Sequence, residues 1–425
     1  MSEEKHLSDI TFEQLGLAPE LLKGIHKSGF EYCTPIQAET LPIALKGKDI
    51  AGQAQTGTGK TAAFLLATFH HLLTHANEKN SGKKNPRAFI LAPTRELAIQ
   101  IFNDAEQLGE FCDFKVAVAY GGTDYEKQRK QIESGVDILI GTPGRLIDYF
   151  KQHVYNLRDI QVMVVDEADR MFDLGFINDI RYLFRKMPKP ELRLNLLFSA
   201  TLNFKVTELA YEHMNQPEKI KIESDTVTAD KVQQTVYYTA NSEKIPVLIN
   251  LIKSHEANRS IIFANTKRMV ERIWAYLEGN GIKSAILSGD VPQKKRQSLL
   301  KQFQDGELPI LVATDVAARG LHITGVSHVF NFDLPQDPED YVHRIGRTAR
   351  AGASGDAISF ACEDSAYSLP DIEEYIGHKI NQESVSAELL TDIKPAVKIQ
   401  RPPRSHKPSQ RNNKPGNKPR QRHTR

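Results

Sequence analysis

One segment of eight residues, AQTGTGKT at Ala54–Thr61, restricts the possible folds of this chain more than any other feature. It lies between a strand-like segment, Asp49–Gln53, and the helix-like sequence AAFLLATFHHLL. Gly57 and Gly59 let the backbone turn so that successive N–H groups point inward, and the N-terminus of the next helix adds the positive end of its dipole. The pattern predicts a phosphate-binding loop between a strand and a helix, and therefore an α/β domain.

A nucleoside triphosphate is the natural occupant of such a loop. Lys60 is expected to neutralise the β and γ phosphates, and the Thr61 hydroxyl to bind Mg²⁺. The strict pattern begins with glycine where this chain has Ala54, but the later glycines and the Lys-Thr pair carry the chemistry. The alternative is a glycine-rich turn with an incidental Lys-Thr pair. The residues predicted to bind the nucleotide here are Gln53, Ala54, Gln55, Thr56, Gly57, Thr58, Gly59, Lys60 and Thr61.

A second ligand for the metal, a carboxylate, is supplied by VMVVDEAD, Val162–Asp169, which begins as an apolar strand. Asp166 at the carboxyl end of that strand is predicted to bind Mg²⁺. Glu167 is the candidate general base for the water that attacks the γ phosphate, which favours hydrolysis over transfer to a small acceptor. The alternative is an acidic, solvated helix start, which N-terminal dipoles also favour.

Short apolar runs bounded by turn residues recur along the whole chain and are typical of buried parallel strands. They are AFILAP, VDILIG, VMVVDEAD, LLFSAT, SIIFAN, SAILSG, ILVATD and SHVFNF. Amphipathic stretches of helical length, such as Arg95–Leu108 and Thr266–Glu278, lie between them. The alternation predicts an α/β fold with doubly wound, mostly parallel sheets, and both halves of the chain are expected to share this architecture.

The chain of 425 residues is long enough for two or three domains. The alternation becomes sparse near the polar sequence KIKIESDTVTADK, where we place the boundary between two domains. The predicted organisation is an N-terminal segment (1–37), a first domain (38–220), a linker (221–230), a second domain (231–393) and a tail (394–425).

The tail has a charge opposite to that of the remaining chain. Residues 398–425 contain ten Lys or Arg and no acid, although the formal net charge of the whole chain is only +2. Five prolines and the absence of large apolar residues after Ile399 predict a disordered basic arm. Such an arm favours a tether to nucleic acid through phosphate neutralisation; the alternatives are a solubilising terminus or a contact for an acidic protein.

The three cysteines, Cys33, Cys112 and Cys362, are far apart in sequence and lack the spacing of a disulfide framework or a zinc site. The N-terminus is polar, and no stretch approaches the length of an apolar membrane span. We therefore expect a soluble, unsecreted, cytoplasmic protein with no membrane partner.

The motifs together resemble those of the DEAD-box ATP-dependent RNA helicases. AQTGTGKT, PTRELA, GG, TPGR, DEAD, SAT, ARG and HRIGRTAR all occur in the family's order over roughly residues 9 to 375. The resemblance implies two RecA-like P-loop domains, RNA-dependent ATP hydrolysis, RNA unwinding, and ATP with Mg²⁺ as cofactors. It also implies a role in RNA degradation, in a degradosome with RNase E and polynucleotide phosphorylase.

GFEYCTPIQ, Gly29–Gln37, resembles the family's adenine-reading motif. The Gln37 amide both donates and accepts, so it can match adenine, while Phe30 can stack on the ring. Phe12, seventeen residues before Gly29, belongs either to this motif or only to the core.

The resemblance assigns further roles to HRIGRTAR and SAT. Arg347 and Arg350 are implied to be arginine fingers supplied by the second domain. Ser199, Ala200 and Thr201, together with His343, are implied to couple hydrolysis to unwinding. The alternatives are surface arginines in a basic turn, and an ordinary strand-to-helix cap at SAT.

The implied RNA contacts suit recognition of the backbone more than of the bases. They are Pro93, Thr94, Arg95, Gly121, Gly122, Thr142, Pro143, Gly144 and Arg145 in the first domain, and Thr266, Arg296 and Thr314 in the second. Taken singly, each is also a common turn or cap residue.

The chain departs from the family where His322 replaces a ribose-binding aspartate and where Ala351 replaces a frequent aromatic. These changes predict a weak grip on the nucleotide from the second domain. Two other functions stay open: an ATP-gated RNA clamp that unwinds little, and a DNA-directed helicase. The histidines His70, His71 and His75 are interpreted as a solvated helix end rather than a zinc site.

Overall fold

The computed structural model describes residues 7–55, 57–75, 85–222, 232–255, 257–318, 326–348 and 355–398. The strands of the first domain are Ile50–Gln53 (β1), Ala88–Leu91 (β2), Val116–Ala119 (β3), Ile138–Gly141 (β4), Val162–Val165 (β5), Leu194–Ser199 (β6) and Glu218–Lys221 (β7). Those of the second are Val232–Tyr238 (β8), Ser260–Phe263 (β9), Ser284–Leu287 (β10), Ile310–Ala313 (β11), His328–Asn331 (β12), Gly355–Ala361 (β13) and Asn381–Glu383 (β14).

Helices connect these strands. The first domain has Pro19–Lys27 (α1), Pro35–Ala44 (α2), Lys60–Thr74 (α3), Arg95–Leu108 (α4), Tyr125–Glu133 (α5), Pro143–Lys151 (α6), Ala168–Asp173 (α7), Ile177–Phe184 (α8) and Phe204–His213 (α9). The second has Lys244–Ser254 (α10), Lys267–Gly279 (α11), Gln293–Gln304 (α12), Asp315–Ala318 (α13), Pro338–Ile345 (α14) and Leu369–Ile376 (α15). Short 3₁₀ turns cover Phe12–Leu15, Pro190–Leu192, Ala366–Ser368 and Ala387–Leu390.

The two sheets have the same topology. The first has the strand order β3-β4-β2-β5-β6-β1-β7, and the second has β10-β11-β9-β12-β13-β8-β14. Each second-domain strand is therefore the counterpart of the first-domain strand seven positions earlier. Pairing is parallel, for example between β1 and β6 and between β9 and β11. The predicted α/β class, with one architecture shared by both halves, is confirmed.

Helices cover both faces of each sheet, so successive strand residues enter two different cores. In β2, Ile90 packs in the cluster on one face, whereas Phe89 and Leu91 pack in the cluster on the other. In β9, Ile262 and Ile261 divide in the same way. This burial on two sides explains why the strands appear in the sequence as continuous apolar runs. The carboxyl ends of the strands are left to carry the polar loops.

The chain after β14 packs along the second domain. Asn250 donates to the carbonyl of Leu389 at 3.0 Å, and the Val397 N–H donates to the Ala275 carbonyl at 3.0 Å. Residues 394–398, assigned to the tail from the sequence, thus make backbone hydrogen bonds to the second domain, although they are exposed. The predicted linker from residue 223 onward and the basic segment 399–425 lie outside the described residues. No helix within the described ranges combines the length and apolar character that crossing a bilayer demands.

Candidate nucleotide and RNA site

The loop between β1 and α3 has the backbone of a phosphate-binding loop. Gly57 and Gly59 have φ angles of 87° and 91°, which side-chain-bearing residues rarely adopt. A Cβ at Gly59 would lie 2.5 Å from the Gln37 amide nitrogen, so only glycine fits there. Lys60 is the first residue of α3, is 5% exposed, and donates through Nζ to the Ala54 carbonyl at 2.6 Å.

Gln37 fastens the start of α2 to this loop. Its Oε1 accepts from the Thr34 N–H at 2.9 Å, and its Nε2 donates to the Gly59 carbonyl at 3.1 Å. An amide has two N–H groups and two lone pairs, so these two bonds do not exhaust its capacity for an adenine edge. The predicted adenine reader is therefore also a support for the loop, which the sequence did not indicate.

A cleft of about 410 Å³ extends from the loop to the side of α4. Phe30 lies in its wall and is 48% exposed, whereas Phe12 is 2% exposed and belongs to the core. Arg347 reaches the same cleft from the second domain. The other lining residues include Tyr32, Thr34, Gln37, Gly57, Gly59, Lys60, Thr61, Gln100, Asp104, Gln107, Asp166 and Glu167.

The two carboxylates after β5 are enclosed in the cleft wall. Asp166 is 3% exposed; burial raises the pKa of its carboxyl, while Lys60 opposes that rise. Glu167 has a φ of 49° and an Oε2 atom that is buried without a hydrogen-bond partner among the described residues. Backbone strain and an unsatisfied carboxylate are both costly, and they are typical of functional positions. The segment does begin helix α7, as the alternative interpretation has it, but Asp166 is buried rather than solvated.

The SAT segment is bonded to the last aspartate of DEAD. Ser199 Oγ accepts from the Asp169 N–H at 3.1 Å, and Asp169 Oδ2 accepts from the N–H groups of Ala200 and Thr201 at 3.1 and 3.2 Å. The cap of α9 is instead Asn203, whose side chain accepts from Val206. The SAT residues therefore do not cap the following helix α9; hydrogen bonds join them to the turn that bears the carboxylates.

The second domain faces this turn through α14. Asp169 and Arg170 share a small cavity with His343 and Arg347. Burial lowers the pKa of His343 to about 4, so the imidazole is neutral at physiological pH. Arg347 is 7% exposed and follows the end of α14. Arg350, Thr56, His322 and Ala351 lie outside the described residues.

The first-domain residues predicted to bind RNA lie at neighbouring strand ends. Pro93 and Thr94 connect β2 to α4, and Thr94 Oγ1 accepts from the Leu97 N–H at 3.3 Å. The Arg95 guanidinium lies over the turn formed by Gly121 and Gly122. A Cβ atom added at Gly122 would lie 2.4 Å from Arg95 Nη1, and one added at Gly121 would lie 3.3 Å from Arg95 Nη2. This close approach and the φ of 83° at Gly122 explain the glycine pair.

The TPGR segment starts α6 at the end of β4. Thr142 has extended backbone and Pro143 is the first helical residue, while a Cβ at Gly144 would meet nothing within 4 Å. Arg145 lies beside Tyr125 and Tyr149, with its guanidinium carbon 4.9 and 5.4 Å from the two ring centroids. Arg145 is thus held by its own domain, so its predicted RNA contact requires sharing or release of these partners.

The second-domain residues occupy the equivalent strand ends. Thr266 caps α11 after β9, as Thr94 caps α4 after β2, and Thr314 follows β11, as Thr142 follows β4. Arg296 instead pairs with Glu96 of the first domain, with Nε and Oε1 2.9 Å apart. The sequence did not indicate this interdomain ion pair, because no local pattern connects residues 200 positions apart.

The three histidines lie near the end of α3, where His75 is exposed, as expected of a solvated helix end, while His70 and His71 are partly buried. His70 Nδ1 accepts from the Ala18 N–H at 3.2 Å, and the rings of His71 and His75 stack with centroids 4.0 Å apart. Burial lowers the pKa of His71 to about 4. Within the part of the chain that the structure describes, no group of three or more His, Cys, Asp or Glu could hold a metal ion.

Comparisons with known proteins agree with this geometry. A family model described as DEAD/DEAH box helicase matches residues 34–209, and one described as Helicase conserved C-terminal domain matches residues 243–352. The chain is 58% identical over 400 residues to the ATP-dependent RNA helicase RhlB of Vibrio campbellii, covering 94% of this chain and 92% of the relative. It is also 58% identical over 406 residues to that of Haemophilus influenzae, covering 95% and 98%.

Two solved structures have the same fold over most of their length. S. cerevisiae Dbp5 bound to RNA and ADP BeF3 has a TM-score of 0.76 at 34% identity, covering 88% of this chain and 95% of that one. Mss116p bound to ssRNA and AMP-PNP has a TM-score of 0.78 at 31% identity, covering 92% and 84%. The chain therefore belongs to the DEAD-box family and is an ATP-dependent RNA helicase of the type that includes RhlB.

Proposed function

We propose that this enzyme hydrolyses ATP to ADP and phosphate in the interdomain cleft and uses domain closure to separate short RNA duplexes locally. The observation that carries the proposal is the meeting of three groups at one cleft. Lys60 and Glu167 reach it from the first domain, and Arg347 reaches it from the second. Because the groups belong to different domains, hydrolysis depends on closure, and closure is the step that RNA binding can control.

The residues of the first domain fit Mg²⁺ at the phosphate end of the cleft. Thr61 and Asp166 both offer oxygen ligands, which Mg²⁺ prefers, and both line the cleft beside Lys60. The buried Asp166 carboxylate is better stabilised with a cation beside it than alone. When bound, Mg²⁺ neutralises charge on the β- and γ-phosphate oxygens.

The protein groups have separate roles in the reaction. The free Oε2 of Glu167 is suited to orient the attacking water and accept its proton. Arg347, assisted by Arg350 on the family resemblance, stabilises charge on the transferred phosphoryl oxygens. Phe30 and Gln37 hold the adenine. The bonds between Asp169 and SAT connect the carboxylate turn to the end of β6, through which hydrolysis is coupled to RNA unwinding.

RNA is proposed to lie across the equivalent strand ends of both sheets. Thr94, Thr142, Thr266 and Thr314 each stand where a strand gives way to a helix, and helix N-termini attract phosphate. Contacts of this kind recognise the backbone, so binding should depend little on base sequence. The basic segment 398–425 is proposed to add electrostatic affinity.

A cytoplasmic role in RNA degradation, together with RNase E and polynucleotide phosphorylase, is proposed on the family resemblance alone. Copurification of the full chain with these two proteins from cells would test it. A variant that lacks residues 398–425 would report separately whether the tail contributes.

The decisive experiment measures ATP hydrolysis with and without single-stranded RNA at fixed salt, for the wild type and for Glu167→Gln. We expect RNA-stimulated hydrolysis in the wild type, its loss in the variant, and no stimulation by single-stranded DNA. A duplex-unwinding assay then separates the helicase from the clamp. Tight ATP-dependent RNA binding without hydrolysis or strand separation would favour the clamp, and stimulation by DNA would favour the DNA-directed enzyme.

A further inference from the structure

The Gly-Gly turn that is proposed to bind RNA is fastened on both sides by one side chain, that of Gln128. The turn, Gly121 and Gly122, follows β3 at the edge of the first sheet and leads into α5. Gln128 is the fourth residue of α5 and is 9% exposed. Its side chain reaches back to both residues that flank the turn, Tyr120 before it and Thr123 after it.

Every hydrogen-bonding position of this amide is used inside the protein. Gln128 Oε1 accepts from the Tyr120 N–H at 3.1 Å and from Arg145 Nη1 at 3.3 Å. Gln128 Nε2 donates to the Tyr120 carbonyl at 3.2 Å and to Thr123 Oγ1. A side-chain amide has two N–H groups and two lone pairs, so these four bonds exhaust it. Gln128 is therefore not a contact for RNA, and it acts by holding other residues in place.

The bond to Arg145 connects the Gly-Gly turn to the TPGR segment. The backbone already joins the two segments at their strand ends, since the Thr142 N–H donates to the Ala119 carbonyl at 3.0 Å. A Cβ at Gly141 would collide with the same carbonyl oxygen, so the two strand ends are in close contact. The bond from Arg145 to Gln128 adds a second connection farther along the chain. Two connections fix the orientation of one segment relative to the other, whereas one connection leaves a hinge.

Arg145 is a fixed point for this second connection. Its guanidinium lies beside the rings of Tyr125 and Tyr149, and Arg145 Nη1 also donates to the Tyr149 hydroxyl at 3.3 Å. Tyr149 is fully buried, and its hydroxyl donates to the Tyr125 carbonyl at 2.7 Å. The Arg95 guanidinium contacts the Gly-Gly turn from α4. Three segments that are proposed to bind RNA therefore meet at the turn, and Gln128 bonds two of them together.

We propose that Gln128 is a positioning residue that sets the Gly-Gly turn against the TPGR segment, so that both contact one RNA backbone. Glycines give the turn wide conformational freedom, and RNA binding would have to remove that freedom. Because the four bonds of Gln128 order the turn in the free protein, the entropy cost falls on folding rather than on RNA binding. The inference rests on the RNA contacts proposed above.

The test compares Gln128→Met with Gln131→Met, a matched change at an exposed position of α5. Methionine keeps the length of glutamine and removes its hydrogen bonds. ATP hydrolysis is measured against the concentration of single-stranded RNA, and affinity for the non-hydrolysable analogue AMP-PNP is measured without RNA. We expect Gln128→Met to raise the half-saturating RNA concentration about tenfold, the equivalent of one lost hydrogen bond. The maximal rate and AMP-PNP affinity should stay within about twofold of wild type, because saturating RNA orders the turn itself. Gln131→Met should match the wild type.

Thr123→Val keeps the test decisive if Gln128→Met does not fold, because it removes one of the four bonds and keeps the shape of the side chain. We expect it to raise the half-saturating RNA concentration about threefold. An unchanged half-saturating concentration in the folded variants would overturn the inference, as would a fall in the maximal rate alone.

Gly122→Ala separates this inference from the proposed function, because it disturbs the turn directly. If Gly122→Ala weakened RNA binding and Gln128→Met did not, the inference alone would fail. If Gly122→Ala bound RNA as the wild type does, the proposed RNA contact at the turn would fail, and the inference with it. If RNA did not stimulate hydrolysis by the wild type, the proposed function would fail first, and the inference with it.

Discussion

The interdomain ion pair between Glu96 and Arg296 gives a direct prediction about closure. Both side chains are largely enclosed, with 11% and 13% of their surfaces exposed, so the contact is only weakly screened by solvent. The change Glu96→Gln keeps the shape of the side chain and removes its charge. It should leave each domain folded and weaken the closed arrangement of the two.

The size of the effect follows from the geometry. Removing one partner of a buried charge pair costs about 2 to 5 kcal/mol. Nε and Oε1 are 2.9 Å apart, but Arg296 Nε makes no aligned hydrogen bond, so the lower end of that range applies. About 2 kcal/mol corresponds to a decrease of about 30-fold in the ratio of closed to open molecules.

The assay places a fluorescence donor and acceptor on the two domains and titrates RNA at saturating AMP-PNP. Glu106→Gln, an exposed change on the same helix, is the matched control. If the Glu96→Gln variant closed at the same RNA concentrations as the wild-type protein, the argument would be refuted. Tighter RNA binding by Glu96→Gln would show instead that Glu96 competes with phosphate for Arg296.

Three further predictions concern the site. Gly122→Ala should displace Arg95 and reduce RNA affinity severalfold while ATP affinity without RNA is unchanged; unaltered RNA affinity would contradict the role of Arg95. Gly144→Ala should raise the free energy of unfolding by up to about 1 kcal/mol, because alanine favours helix more than glycine does. It should also weaken RNA binding, because the proposed RNA backbone passes over the start of α6; RNA affinity equal to that of the wild type would show that RNA lies elsewhere. Burial and the acids Asp337, Asp169, Asp173 and Asp340 raise the pKa of Glu339 to about 7, so the folded protein should lose stability as pH rises from about 4.5 through 7. Glu339→Gln should therefore raise the free energy of unfolding at pH 8 and have no effect near pH 4; an equal effect at both would contradict this.

Most of the scaffold could be predicted from the sequence because its signals are local. The helix predicted at Arg95–Leu108 has those bounds in the structure, since Thr94 supplies its cap and the apolar residues keep a helical period. The strand Asn381–Glu383 could not be predicted, because its three residues are polar and exposed and only its pairing with β8 defines it.

The chemistry at the site could be predicted where its signal lies within a single segment of sequence. The glycines with positive φ and the carboxylates after β5 each follow from the residue spacing of their own segment. The partners that restrain the arginines do not, because each contact joins distant segments. Arg145 lies against Tyr125, Arg296 against Glu96, and Arg344 against Asp315. An arginine in a family motif can thus face the ligand or hold the scaffold, and only the fold distinguishes the two.

The duplicated sheet suggests how, on the proposed roles, a single nucleotide controls a surface that spans both domains. Thr94 and Thr142 of the first domain have counterparts in Thr266 and Thr314 of the second, so each half has the same pair of strand ends for the proposed RNA contacts. Lys60 and Asp166 line the cleft of the first domain, whereas in the second domain Lys244 at the start of α10 and Asp333 after β12 form an ion pair with each other. If both pairs bound nucleotide, each domain would complete a site without the other. On the proposed roles, only the first domain binds nucleotide and Arg347 comes from the second, so we expect ATP to be held fully only when the two domains are brought together.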